Sequence, residues 1–379
     1  MKSFVSRSRL ARIRKSVLIA AGLTLVLASQ ALAAPVKEAK AVPQLAVTAS
    51  DYRSAVYSTD GKVWYWGGIA DVIDGKHTFR DNVPAAMLDL KDIVDIQSLQ
   101  HREIFLKKDG TVWEWGAEYR LNSADITDGT TEFPAPKPIE GLSRIAKISA
   151  SGIGSAIDEN GGVWIWHPDR YDKGPRKLEN INDAKELSAN NLGDVLILRK
   201  NGTVWKWTGY SERNANENYK AERVGALKDV VALSTGHGRQ FFAIKKDGTV
   251  WGWGENYGGK LGLPITTEIV EKPVQLKNLN DVSSIVTGYL RTMVIKKDGT
   301  LWVMGYDVGS TTNLANKNGP ELRRIDGLKK VASVALGYEH AVAVTEDGKV
   351  WAWGGNAAGQ LGDGTFKNSG KPIQVRGIR

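Results

Sequence analysis

The amino-acid sequence predicts an all-β fold, a seven-bladed β-propeller of four-stranded antiparallel blades. Three observations carry that prediction. The motif Asp/Asn-Gly-x-x-Trp-x-Trp recurs seven times, with leading tryptophans Trp64, Trp113, Trp164, Trp205, Trp251, Trp302 and Trp351 spaced by 49, 51, 41, 46, 51 and 49 residues. All 13 tryptophans lie inside these copies, and Met304 fills the one place where a fourteenth would stand. Each copy also keeps the same neighbours: an apolar run just before it, a short β-forming run further upstream, and another β-forming run downstream past a long loop. Self-similarity at this period sets the architecture before any local reading does.

Each element of a unit follows from residue chemistry. Asp-Gly or Asn-Gly between two apolar runs predicts a tight hairpin, read as a type I′ turn whose central residues need positive φ. The run before the turn is strand-like, as in Phe241-Phe-Ala-Ile244 and Ala341-Val-Ala-Val344. The strand after it carries tryptophans at i and i+2, so both rings leave the same face. The residue between them varies (Tyr65, Glu114, Ile165, Lys206, Gly252, Val303, Ala352), which marks one strictly packed face and one tolerant face. Upstream runs such as 229–236 and downstream runs such as 272–276 complete four strands. A lone sheet of this kind has two apolar faces, and seven arranged radially bury both against neighbours. The leading tryptophans are the expected structural residues; cutting one of them, such as Trp251, to alanine is expected to cost about 3–5 kcal/mol.

The N-terminus reads as an export signal. Lys2, Arg7, Arg9, Arg12, Arg14 and Lys15 form a basic head without an acid, followed by an apolar run from Val17 to Ala28 and a small-x-small site at Ala31-Leu-Ala33. The apolar run is too short to span a bilayer comfortably, so residues 1–33 are read as a cleaved signal peptide, with a retained anchor as the alternative. The mature protein is then expected to be secreted or held in the cell envelope, without a stable membrane span. The chain is formally +9, but the signal supplies six of those charges and leaves +3, so no nucleic-acid partner is expected. There is no cysteine, so the exported fold must be held by its core and not by disulfides. Residues 34–42 read as a linker and 43–379 as the propeller, with blades at about 43–90, 91–141, 142–180, 181–228, 229–279, 280–328 and 329–379. Two segments compete for the outer strand of the last blade: Pro35-Val36, which aligns on Pro273-Val274, and 371–375, which is richer in β-formers.

Catalytic chemistry finds little support. Without cysteine there is no thiol nucleophile and no thiolate metal site, and the histidines His77, His101, His167, His237 and His340 fall in five different blades with no His-Glu-x-x-His spacing. Gly152-Ile-Gly-Ser-Ala156 is not a nucleophile elbow, and Gly258-Gly-Lys-Leu-Gly262 lacks the phosphate-loop spacing. No catalytic residue, metal or cofactor is assigned.

The run Gly337-Tyr-Glu-His340, Asp347-Gly-Lys-Val-Trp-Ala-Trp-Gly-Gly-Asn356 and Gly359-Gln-Leu-Gly-Asp-Gly-Thr365 resembles the repeat of the regulator-of-chromosome-condensation propeller family. The resemblance covers about residues 43–379, with the fifth copy next closest. The histidine of the seventh copy is replaced elsewhere, and Gly-Gln-Leu-Gly is intact only there. In that family the histidine is expected to hydrogen-bond inside its blade. The best-known member is a nucleotide exchange factor for a nuclear GTPase, an activity that an export signal makes unlikely for this chain. An exported β-lactamase inhibitory propeller is similar in blade count. What the resemblance implies is a binding scaffold.

Strand direction sorts the loops onto two ends. The Asp-Gly turns define a lower face, where Lys107-Lys108, Arg199-Lys200, Lys245-Lys246 and Lys296-Lys297 precede the hairpins and form a candidate basic patch. Lysines that solvate hairpin tips give the same pattern. The long loops and the turns near Gly236, Gly288 and Gly337 define an upper face, which receives nine of the 11 tyrosines. Tyrosine offers a large, rigid contact area with a polar tip. Tyr119, Tyr171, Tyr210, Tyr257 and Tyr306 are the partner-binding candidates. The expected function is that of a non-catalytic, monomeric scaffold recognising a protein, with inhibition as one form. The alternative is an anionic cell-wall polymer or glycan on the basic face.

Overall fold

The computed structural model describes residues 26–27, 31–32, 45–50, 52–58, 61–67, 71–73, 76–78, 82–86, 91–99, 102–116, 135–167, 174–209, 219–289, 291–305, 315–316, 319–320 and 322–378. Among them are seven four-stranded antiparallel sheets, set as the blades of a propeller and each drawn from one contiguous stretch of chain. The expected fold class is the observed one. In the fifth blade the strands run from inner to outer as Val230–Thr235, Gln240–Lys245, Val250–Glu255 and Ile269–Gln275. The signal and linker lie outside the described residues except for 26–27 and 31–32.

The core is a set of seven apolar clusters, one in each gap between neighbouring blades. The second tryptophan of each copy fills its gap from one side. Trp66, Trp115, Trp166, Trp207, Trp253 and Trp353 are buried and face the preceding blade. Met304, fully buried, does the same between the fifth and sixth blades. The variable residues on the opposite face include Tyr65, Ile165, Val303 and Ala352, which are buried against the following blade. Tolerance on that face therefore reflects a different neighbour in each gap. The leading tryptophans are half-buried except for Trp64.

The hairpin turn differs from the expected type I′. At the second copy Gly110 takes positive φ (79°) while Asp109 does not. Gly110 N–H donates to Lys107 O at 2.9 Å and Lys107 N–H to Thr111 O at 2.9 Å, a longer turn closed by one left-handed glycine. The aspartate serves through its side chain. Its Oδ1 accepts from Thr111 N–H at 2.9 Å and Thr111 Oγ1–H at 2.6 Å, and Thr111 Oγ1 accepts from Trp113 Nε1–H at 2.9 Å. The same chain of bonds recurs through Asn201, Asp247 and Asp298. Each turn thus fixes the leading indole of its own copy.

Among the described residues the ring closes without an exchanged strand. Ser369–Gln374 is the outer strand of the seventh blade, as its β-forming residues suggest, and the inner strand Leu45–Ala49 of the first blade packs beside Val331–Leu336. Polar bolts cross the gaps at the start of the second strands in the fifth, sixth and seventh blades. Gln240 Nε2–H donates to Gly288 O at 2.7 Å, and Arg291 Nη2–H to His340 O at 2.8 Å. The resemblance implies that the ring of His340 bonds within its own blade, and the structure corrects this. Its Nε2 lies 2.8 Å from Ser54 Oγ of the first blade. Burial, with the field of Arg291, pushes the imidazole down to about 3, so it is neutral. Trp66 Nε1–H and Ser54 Oγ–H both donate to Gln360 O at 2.9 Å, which ties the seventh blade's loop onto the first blade.

Because the second tryptophan fills the gap, Trp253→Ala should lower the free energy of unfolding by about 3–5 kcal/mol, and half-exposed Trp251→Ala by less. Urea denaturation of the two variants side by side checks the order.

Candidate functional site

The two ends of the ring differ in chemistry because they are made of different parts. The lower end is made of hairpins. There the first basic residue of each pair lies over the leading indole of its own copy: Lys107 at 4.9 Å from Trp113, Arg199 at 5.1 Å from Trp205, Lys245 at 5.7 Å from Trp251 and Lys296 at 4.6 Å from Trp302. Cation–π contact and stem packing engage these groups. Lys108, Lys200, Lys246 and Lys297 remain exposed. Asp109, Asp247 and Asp298 stand beside them as charged acids, held below the ordinary carboxylate range by hydrogen bonds from the turn threonines. Mixed sign at the tips weakens any single-sign field.

The upper end carries the apolar surface. Eight large hydrophobic side chains are exposed among the described residues: Tyr52, Val83, Leu192, Tyr257, Ile269, Tyr289, Tyr338 and Phe366. By strand direction all eight lie at this end. Two of the long loops are held rigid from beneath. Asn256 and Asn356, both fully buried, each accept a backbone N–H (from Leu261 and Leu361) and donate to loop carbonyls. Leu261 and Leu361 are fully buried as a result. The outer strands that follow span seven and six residues, against two in each of the other blades.

Three tyrosines come together at the mouth of the central channel. Tyr338 lies 5.0 Å from Tyr289 and 6.3 Å from Tyr52 between ring centroids, both pairs tilted. Their exposures of 44% (Tyr52), 44% (Tyr289) and 37% (Tyr338) leave a continuous aromatic platform in contact with solvent. They follow Ser50, Gly288 and Gly337 at the ends of three inner strands. Close blade contact brings them together: a Cβ on Gly337 would lie 2.5 Å from Ser50 O, and one on Gly236 would lie 1.9 Å from Thr287 Oγ1. Of the five partner-binding candidates, Tyr257 is exposed on the short turn Tyr257–Gly259, while Tyr119, Tyr171, Tyr210 and Tyr306 lie outside the described residues. The platform tyrosines were legible only as turn residues. The signal available for them was the shared Gly-Tyr register of the sixth and seventh copies.

Below the mouth the inner strands carry titratable groups, with Asp95 buried and Glu186 and Lys147 half-buried. Asp95 is pushed up to about 8 by burial, although Tyr57 O–H and Gln97 Nε2–H donate to it at 3.3 and 3.1 Å. Glu186 is raised to about 7 by burial and accepts from Leu233 N–H at 3.0 Å. Lys147, whose charge acts on both, is pulled down by burial. Among the described residues no group of three His, Asp or Glu side chains is placed to hold a metal ion.

Comparison with known proteins agrees with this fold. Residues 247–295 and 347–379 match the regulator of chromosome condensation (RCC1) repeat, and residues 331–360 match a second form of it. A mouse (Mus musculus) protein described as RCC1-like G exchanging factor-like is 28% identical over 132 residues, 33% of this chain. The match spans 29% of that relative. A solved structure of yeast RCC1 (Prp20) bound to Kap60 aligns with a TM-score of 0.66 at 18% identity, covering 100% of this chain and 91% of that one. Prp20p from Saccharomyces cerevisiae, described with its binding to Gsp1p and histones, aligns with a TM-score of 0.62 at 19% identity, covering 89% and 87%. The repeat matches support the family resemblance, and the structures show a shared propeller fold.

Asp95 gives this region a pH dependence. The unfolded carboxyl ionises near its ordinary 3.8, whereas the folded one stays protonated to about 8. The unfolded state therefore binds fewer protons between those values, and stability falls as pH rises from about 4 to about 8, by up to about 1.4 kcal/mol per pH unit for one group. Asp95→Asn, which mimics the protonated acid, should make that slope shallower in denaturant titrations across this range, the remainder coming from Glu103 and Glu186, which burial raises to about 7.

Proposed function

We propose that the protein is an exported, non-catalytic recognition propeller that docks a protein partner on its upper face. The observation that carries this reading is the segregation of exposed apolar surface. Among the described residues all eight exposed large hydrophobic side chains lie at the upper end, and the platform of Tyr52, Tyr289 and Tyr338 sits at its centre. Contiguous aromatic surface on a rigid scaffold is what partner-binding sites are built from. Propellers of like fold are described with Kap60, Gsp1p and histones, so carrying protein partners is a use this scaffold sustains. Export rests on the basic head, short apolar run and Ala31-Leu-Ala33 site. Recognition of an anionic wall polymer by the lower face has only Lys108, Lys200, Lys246 and Lys297 as exposed cations of the four pairs.

Affinity capture with the mature protein tests the reading. It should retain a stoichiometric protein, with alanine at Tyr52, Tyr289 and Tyr338 each costing roughly 1–4 kcal/mol of affinity and alanine at the four lysines costing little. Retention on wall material that salt reverses, lost with the lysines and not with the tyrosines, would transfer function to the lower face. Mass spectrometry of the secreted material should place the N-terminus at or near Ala34; an intact Met1 terminus would count against export by cleavage.

A further inference from the structure

We propose that the channel mouth is a binding site for a neutral saccharide unit, a ligand class that goes beyond the docking of a protein partner. The mouth is a cavity of about 340 Å³ enclosed by the ends of all seven inner strands. That volume falls at the small end of the roughly 300–1,000 Å³ typical of ligand pockets, which suits one or two sugar rings. One wall is aromatic: Tyr289 and Tyr338 line the cavity, and Tyr52 extends the platform behind Tyr338. The facing wall is polar, with Ser98, Ser151, Asn191, Thr235 and His237.

The lining selects the ligand chemistry by what each alternative would cost. Among the described residues that line it there is no Lys, Arg, Asp or Glu, so a charged ligand would lose its hydration there without a counter-charge beside it. A wholly apolar ligand would take the amide and hydroxyl groups of the facing wall out of water without offering them a hydrogen bond of its own. The fit is a compact neutral molecule with one C–H face and a rim of hydroxyls. A pyranose has that form: its C–H face stacks on a tyrosine ring and its hydroxyls reach the polar wall. The wall is also built to hold its shape. Asn191 Oδ1 accepts from Gly238 N–H at 2.7 Å, and Ser188 Oγ both pairs with Thr235 Oγ1 at 2.9 Å and accepts from Thr235 N–H at 2.9 Å. Ser98 Oγ lies 2.9 Å from Thr48 Oγ1 and donates to Glu103 at 2.9 Å. All but the Ser98–Glu103 bond cross blade boundaries, so the polar wall is preorganised by the packing of neighbouring blades.

Saturation-transfer NMR on the purified full-length protein tests the site, with glucose, N-acetylglucosamine and maltose as neutral probes and glucuronate and glucosamine as charged counterparts. The expected result is transfer to the ring C–H protons of at least one neutral sugar, with weaker transfer to its charged counterpart. The double variant Tyr289→Ala/Tyr338→Ala should weaken binding roughly tenfold while circular dichroism stays unchanged, and Tyr338→Phe should retain it, since stacking needs the ring and not the hydroxyl. Three results overturn the proposal: no transfer to any neutral sugar, stronger transfer to the charged ones, or transfer that survives the double variant. Sugar binding without a captured protein would uphold this site and reject the protein-docking reading; a captured protein without sugar binding would do the reverse.

Discussion

Every blade depends on the apolar gap that it shares with the next one. A four-stranded sheet with two apolar faces has no stable form in water, and here both faces are covered only because a neighbour stands on each side. The chain meets this constraint by repeating one filler, the second tryptophan of the motif, at six of seven places and by substituting Met304 at the other. Methionine suits the exception because an unbranched, flexible thioether adapts to an irregular gap. Among the described residues no strand passes across the last gap, between the seventh and first blades. It is filled like the others and further bolted by His340 to Ser54 and by Gln360 to Trp66 and Ser54. A charged imidazole would be costly there, and burial keeps it neutral.

Ring closure also makes the two ends different. The hairpins at the lower end are self-contained: aspartate or asparagine holds a threonine, the threonine holds an indole, and a basic side chain covers the ring. Such tips satisfy their own polar groups and leave little unpaired chemistry. The upper end collects segments from all seven blades, and its exposed rings are neighbours only because distant blades meet. Recognition placed there uses loops on a frame that the tryptophan gaps hold rigid.

The repeat was legible because each copy must fill an equivalent gap, so blade number, strand order and a C-terminal outer strand near 371–375, found at Ser369–Gln374, follow from spacing and residue type. The turn was misread because a dipeptide shows what φ the aspartate tolerates and not what its carboxylate accepts. His340 bonds to a residue 286 positions away, and no local pattern announces that partner. Tyr52, Tyr289 and Tyr338 illustrate the same limit. Reading along the chain favours long-loop tyrosines such as Tyr257, whereas the platform forms from short turns: Tyr289 and Tyr338 meet at 5.0 Å between successive blades, and the closed ring brings Tyr52 of the first blade within 6.3 Å of Tyr338.

The central claim is that one end of a rigid ring recognises and the other end solvates. Site-specific photo-crosslinking in the cells that make the protein tests it most directly, with a photoactivatable residue placed at Tyr338 in one variant and at Lys246 in another. The account predicts a discrete adduct from position 338 and none from position 246. A discrete adduct from position 246 alone would contradict it.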